Sequence, residues 1–173
     1  MSKVSKLGQL ANFLLYITLQ LAVSQFIVLC HTASCFIYVA FLLLLPRRQE
    51  GMPLLLLISF AVGLFVDIFY GSAGTHAFSS VLVVYSRDFL LKLMLPASGY
   101  EAAAQPTLSN LGWKRFSLFS LILIGIHHTA LFFLDAGTTM LFFVIIRKVV
   151  FSTLLTYTTV LLTQSIILLI RKR

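Results

Sequence analysis

Apolar runs of about twenty residues, interrupted by short polar breaks, constrain this chain more than any other feature. Such a run, coiled as a helix, crosses the ~30 Å hydrocarbon layer of a bilayer, where the backbone must satisfy its own hydrogen bonds. Six segments are candidates: Leu7 to Cys30, Ala33 to Leu45, Met52 to Tyr70, Thr75 to Met94, Phe116 to Leu134 and Val149 to Ile170. The second stops at Pro46 and is short enough to be re-entrant instead. An apolar piece, Thr139 to Ile146, precedes the sixth.

Charge is too sparse for a water-facing surface. Of 173 residues, 60% are hydrophobic and 10% charged, with a mean hydropathy of +1.01, whereas a soluble domain is about a quarter charged. The expected fold is therefore an all-α polytopic bundle of six transmembrane helices in a single domain. The first run is longer than an ordinary signal-peptide core and no clear A-x-A site follows it, so it reads as retained.

The net charge of +8 does not point to nucleic acid, because the basic residues form no patch interleaved with aromatics. They fall between apolar runs, at Lys3/Lys6, Arg47/Arg48, Lys114/Arg115, Arg147/Lys148 and Arg171/Lys172/Arg173. Lys and Arg in short loops mark the cytoplasmic side. Six spans place the N-terminus, the Arg47/Arg48 loop, the loop from Pro96 to Arg115 and the C-terminus there. The Cys30, Gly71–Gly74 and Phe133–Gly137 turns then lie outside, which gives N-in and C-in. Arg147 and Lys148 resist this rule. A continuous helix from Thr139 to Ile170 would be about 48 Å long, so the expectation is that Thr139 to Ile146 lies along the outer interface, with both cations snorkelling at a bend. Asp88 and Lys92, spaced i,i+4, suit a solvated extension of the fourth helix, with Arg87 near the inner headgroups.

Ionisable residues inside spans are costly and informative. Asp67, His76, His127, His128, Asp135, Arg147 and Lys148 gather in the outer half. Asp67 near a helix C-terminus faces the negative end of the helix dipole. It must be held by His76, a fifth-helix His, Arg147 or solvent, and a buried, paired carboxylate is expected. Ser59, Gly63, Asp67 and Gly71 recur every four residues. So do Asn12, Tyr16, Gln20 and Ser24, while Ser152, Thr156, Thr159 and Thr163 line another face. These stripes fit helix packing.

Catalysis finds little support. His127 and His128 are adjacent, so on a helix they point about 100° apart and cannot easily share an ion. H-E-x-x-H, a Gly-flanked serine with a base and a phosphate loop are all missing. Cys30 and Cys35 lack metal-type spacing and read as small apolar residues at a helix–helix turn, with a disulfide as the alternative. No enzyme, cofactor or metal site is expected.

The stretch from Gly63 to Ala77, GLFVDIFYGSAGTHA, resembles the signature of the rod shape-determining protein MreD family, G-L-x-x-D-x-x-x-G-x-x-G-x-H-A. Gly63, Leu64, Asp67, Gly71, Gly74, His76 and Ala77 match in place. Gln20, the Tyr38-to-Pro46 segment, Gly99-Tyr100-Glu101 and Ile126-His127-His128 extend the resemblance over nearly the whole chain. It implies a non-enzymatic component of the bacterial cell-elongation complex, in the inner membrane. The implied partner is MreC, and through it MreB, RodA and RodA's transpeptidase partner, besides membrane lipid and, where it forms, a second copy. It also implies a fold like the substrate-binding subunits of energy-coupling-factor vitamin transporters, and solute capture of that kind is the rival function.

Overall fold

The computed structural model describes residues 18, 28–29, 33–45, 51–94 and 105–171. Among these it is almost wholly helical. A two-stranded antiparallel pair, β1 (Val28–Leu29) with β2 (Ala33–Ser34), leads into five helices. These are α1 (Tyr38–Leu44), α2 (Met52–Tyr70), α3 (Thr75–Met94), α4 (Leu108–Ala136) and α5 (Phe142–Arg171). Three of them, α2, α4 and α5, are long and apolar enough to cross a membrane. The expected first span and its Asn12–Ser24 stripe fall almost entirely outside the described residues.

The long helices pack in chain order. The α2 helix lies on α3, α3 on α4, and α4 on α5. Local sequence sets the ends. Gly51 and Pro53 open α2, and Gly71 in the left-handed region closes it. Thr107 caps α4 by accepting the Asn110 N–H at 3.3 Å. The α4 helix begins well before the expected Phe116 and is broken at Gly112, whose φ of 74° only glycine adopts without strain.

Three expectations are corrected. Among the described residues three helices, not six, are long and apolar enough to span. The segment 33–45 is a strand followed by α1, whose seven residues rise about 10 Å and cannot reach across a bilayer. Tyr38 through Leu43 are all buried, so this segment is apolar because it lies inside protein. Second, α3 has the expected bounds but carries Arg87, Asp88 and Lys92. Asp88 and Lys92 do pair, at 3.3 Å with Lys92 exposed, yet Arg87 is only 1% exposed. It donates to the carbonyls of Leu42 at 3.1 Å and Leu45 at 2.7 Å. Those carbonyls end α1 and have no partner within it, so the buried cation neutralises the negative end of the short helix. Third, residues 139–148 form no separate interfacial helix with a bend. The α5 helix runs continuously from Phe142 for 30 residues, about 45 Å.

Strand and extended backbone at membrane depth is tolerated only where protein partners satisfy it. The α5 helix does this with the stripe of hydroxyls seen in the sequence. Ser152 Oγ accepts the Ser34 N–H at 3.0 Å, Thr156 Oγ1 accepts the Phe36 N–H at 3.1 Å, and Thr159 Oγ1 lies 3.6 Å from Cys35 Sγ. Thr163 instead donates to the Thr159 carbonyl of its own helix, at 2.8 Å.

Candidate functional site: the α2–α3 turn and the buried histidine cluster

The glycine-rich stretch from Gly63 to Ala77 is a helix–turn–helix in which each matching polar or glycine residue has a local task. At Gly63 the α2 backbone meets α3. A Cβ there would lie 2.5 Å from the Ala77 Cα and 2.5 Å from the His76 carbonyl oxygen. Gly71 (φ 63°) and Gly74 (φ 85°) take left-handed conformations that reverse the chain within four residues.

Asp67 is 3% exposed and fully engaged. Its Oδ1 accepts the His76 N–H at 3.0 Å and the Ser72 hydroxyl, and its Oδ2 accepts the Ala77 N–H at 2.9 Å. The carboxylate, badly placed at the end of its own helix, sits on the N-terminus of the next one, where free amides and the positive dipole end favour an anion. Asp67 is therefore buried and paired, as its position demands. Its partner is the backbone at His76 and Ala77, and Arg147 is exposed and takes no part.

Released from Asp67, the His76 side chain turns to the centre of the bundle. There Tyr38 Oη lies 3.0 Å from His76 Nδ1 and 2.6 Å from His127 Nε2. This joins α1, α3 and α4 in one chain. His128 goes elsewhere. Its Nδ1 faces the Ile124 carbonyl at 2.8 Å, and since a carbonyl only accepts, that nitrogen carries the proton. Its Nε2 is then the acceptor for Thr156 Oγ1, 3.4 Å away. The two neighbouring histidines thus serve different elements, consistent with their divergence on the helix. His76, His127 and His128 are all buried. Among the described residues, no group of three or more His, Cys, Asp or Glu side chains is placed to hold a metal ion.

Aromatic rings complete the cluster. Phe36, 4% exposed, has the rings of Tyr38, Tyr70, His76, His127, His128 and Phe132 around it at centroid distances of 5.2–6.3 Å. Lys148, expected to snorkel, lies over the Phe132 ring at 4.6 Å, a cation–π contact that keeps its charge at the cluster's edge. Asp135 is exposed. Of the expected outer-half set, then, the structure brings the His76, His127 and His128 rings together, holds Asp67 on the His76 and Ala77 amides, and leaves Asp135 and Arg147 outside.

Sequence reasoning missed Phe36 and the roles of Tyr38 and Arg87. A tyrosine inside an apolar run too short to span was the available sign, because a buried phenol needs a hydrogen-bond partner. Comparison of the chain with protein-family models, curated proteins and solved structures finds no match.

Proposed function

We propose that this chain is a non-enzymatic, multi-pass component of the bacterial cell-elongation complex in the inner membrane. In this reading it binds MreC and so helps position peptidoglycan synthesis along the cell. The observation that carries the reading is the α2–α3 junction. The residues that resemble the MreD signature are those the turn cannot do without: Gly63 for the close crossing, Asp67 for the amides of His76 and Ala77, Gly71 and Gly74 for the reversal, and His76 for the link to Tyr38. The polar side chains act as internal fasteners, which suits an adaptor that presents rigid apolar helix faces to partner helices. Apolar side chains on such faces include Ile68 and Phe89, both more than two-thirds exposed.

The test is affinity purification of the chain from native membranes. MreC is the expected companion, and a transporter ATPase in its place would overturn the proposal. Replacing Asp67 by Asn is expected to reduce both MreC recovery and rod shape. A second reading, a solute-binding membrane subunit of an energy-coupling-factor type transporter, draws on the ring cluster around Phe36, where aromatic faces and imidazoles converge. A small molecule that co-purifies with the chain and the ATPase would favour it.

A further inference from the structure

Arg147 and Lys148 fit poorly in the helix that carries them. The α5 helix is apolar enough to cross a bilayer, yet both cations lie inside it, five and six positions on from its start at Phe142. At about 100° per residue, Arg147 points away from the face on which Ile145, Val149, Ser152 and Thr156 are buried, and it is exposed. Lys148 flanks it on the side of α4, its ammonium over the Phe132 ring at 4.6 Å. A ring covers one side of an ammonium and leaves N–H donors for a second partner. Among the described residues neither cation forms an ion pair, whereas Lys92 takes Asp88 at 3.3 Å. Depth indicates which anion they meet. Along α5, Arg147 and Arg171 are about 36 Å apart, more than the ~30 Å of hydrocarbon and close to the roughly 40–45 Å that includes both headgroup layers. With Arg171 among the headgroups of one leaflet, Arg147 and Lys148 reach those of the other.

We propose that Arg147 and Lys148 form a site for the phosphate of an anionic phospholipid in the leaflet opposite Arg171. Arg147 offers the planar fork that suits two phosphate oxygens. Lys148 adds a point charge that Phe132 holds beside it. Phe151 and Leu154, on the Arg147 face and half exposed, give the acyl chains an apolar strip. Two cations without an acidic neighbour match a lipid of net negative charge, because a zwitterionic headgroup brings its own ammonium to the same place. A lipid held there would also fix the depth of a helix longer than the hydrocarbon it crosses. The inference needs α5 to cross a bilayer and is independent of the rod-complex reading.

Fluorescence quenching by brominated lipids tests this with the full-length chain in vesicles. The single tryptophan is removed by Trp113→Phe, and Phe151→Trp places a reporter about 6 Å along α5 from Arg147. In equal mixtures of phosphatidylglycerol and phosphatidylcholine, the bromine is carried by one lipid or by the other. The reporter is expected to favour phosphatidylglycerol several-fold, and Arg147→Gln with Lys148→Gln should bring the two lipids level. A second reporter, Leu162→Trp, should be quenched by both lipids and be unmoved by the double substitution. Inorganic phosphate should weaken the preference no more than sodium chloride of the same ionic strength. Equal quenching at the Phe151→Trp reporter, a preference that survives the double substitution, or its loss to inorganic phosphate beyond the salt effect would overturn the proposal. Absence of quenching at both reporters would remove the span, and the site with it. If the double variant does not fold, Arg147→Gln alone, at the exposed position, decides the matter through a smaller loss of preference.

Discussion

Asp67 and Gly63 act on the same crossing from opposite directions, one by attraction and one by the absence of a side chain. Asn at position 67 would remove the charge and turn an amide nitrogen towards backbone N–H donors that the carboxylate now accepts. The expected cost is about 2–4 kcal/mol, from charge-assisted bonds lost and donors left buried, read as a lower thermal midpoint of the purified protein. Gly63→Ala forces a Cβ into the Ala77 backbone, which cannot retreat as a flexible side chain would. A loss of about 1–3 kcal/mol is expected by the same measurement. Gly125 is the control: it lies within α4, and a Cβ there meets nothing within 4 Å. Gly125→Ala should therefore be neutral or stabilising by up to about 1 kcal/mol through helix propensity. Equal losses at positions 63 and 125 would contradict the close-crossing account.

Single elements show what α1 depends on. Its seven residues are too few to be stable alone; α3 supplies a C-terminal cation and α5 supplies acceptors for the chain that enters it. Arg87→Met is expected to cost about 2–4 kcal/mol, because the Leu42 and Leu45 carbonyls lose a charged donor in a dry setting. Thr156→Val should cost about 1–3 kcal/mol by orphaning the Phe36 N–H. The two sites lie on different helices, so their effects should add, and marked non-additivity in the double variant would show that the α1 segment responds as one cooperative unit. The bounds of α2 and α3 were legible in the sequence because Gly, Pro and a tight turn punctuate them. For 33–45 the shortness of the run allowed a segment that does not span, but its enclosure in protein was not legible. Hydropathy registers a preference for apolar surroundings, and lipid and protein interior satisfy it equally. Asp67 could be recognised as buried and paired from the helix dipole alone, whereas its amide partners depend on how α2 meets α3. The bonds from Ser152 and Thr156 to residues 34 and 36 join parts of the chain more than a hundred residues apart, and no local pattern encodes them.

Among the described residues, four long helices pack in chain order, the short α1 lies against α3 and α4, and β2 lies against α5. The α2–α3 turn, the α4–α5 turn and the histidine cluster lie towards one end of the long helices, and the rod-complex proposal assigns this end to the cell exterior. Cysteine-substituted chains in intact cells test the assignment. A cysteine replacing Met140, which is 94% exposed near the α4–α5 turn, should react with a membrane-impermeant thiol reagent added outside. One replacing Arg47 or Arg173 should react only after the cells are opened. Labelling of the Arg47 position from outside would invert the orientation and remove the basis for the adaptor role.

The dependence of the 33–37 segment on α5 has a bearing on biogenesis. The ribosome delivers this segment more than a hundred residues before Ser152 and Thr156 emerge. Until they do, its amides must find temporary partners, in the insertion machinery or in water at the bilayer edge. The enclosed helix is thus among the last pieces to settle although it is among the first made, and a nascent chain halted ahead of α5 would hold it in an unfinished, protease-sensitive form.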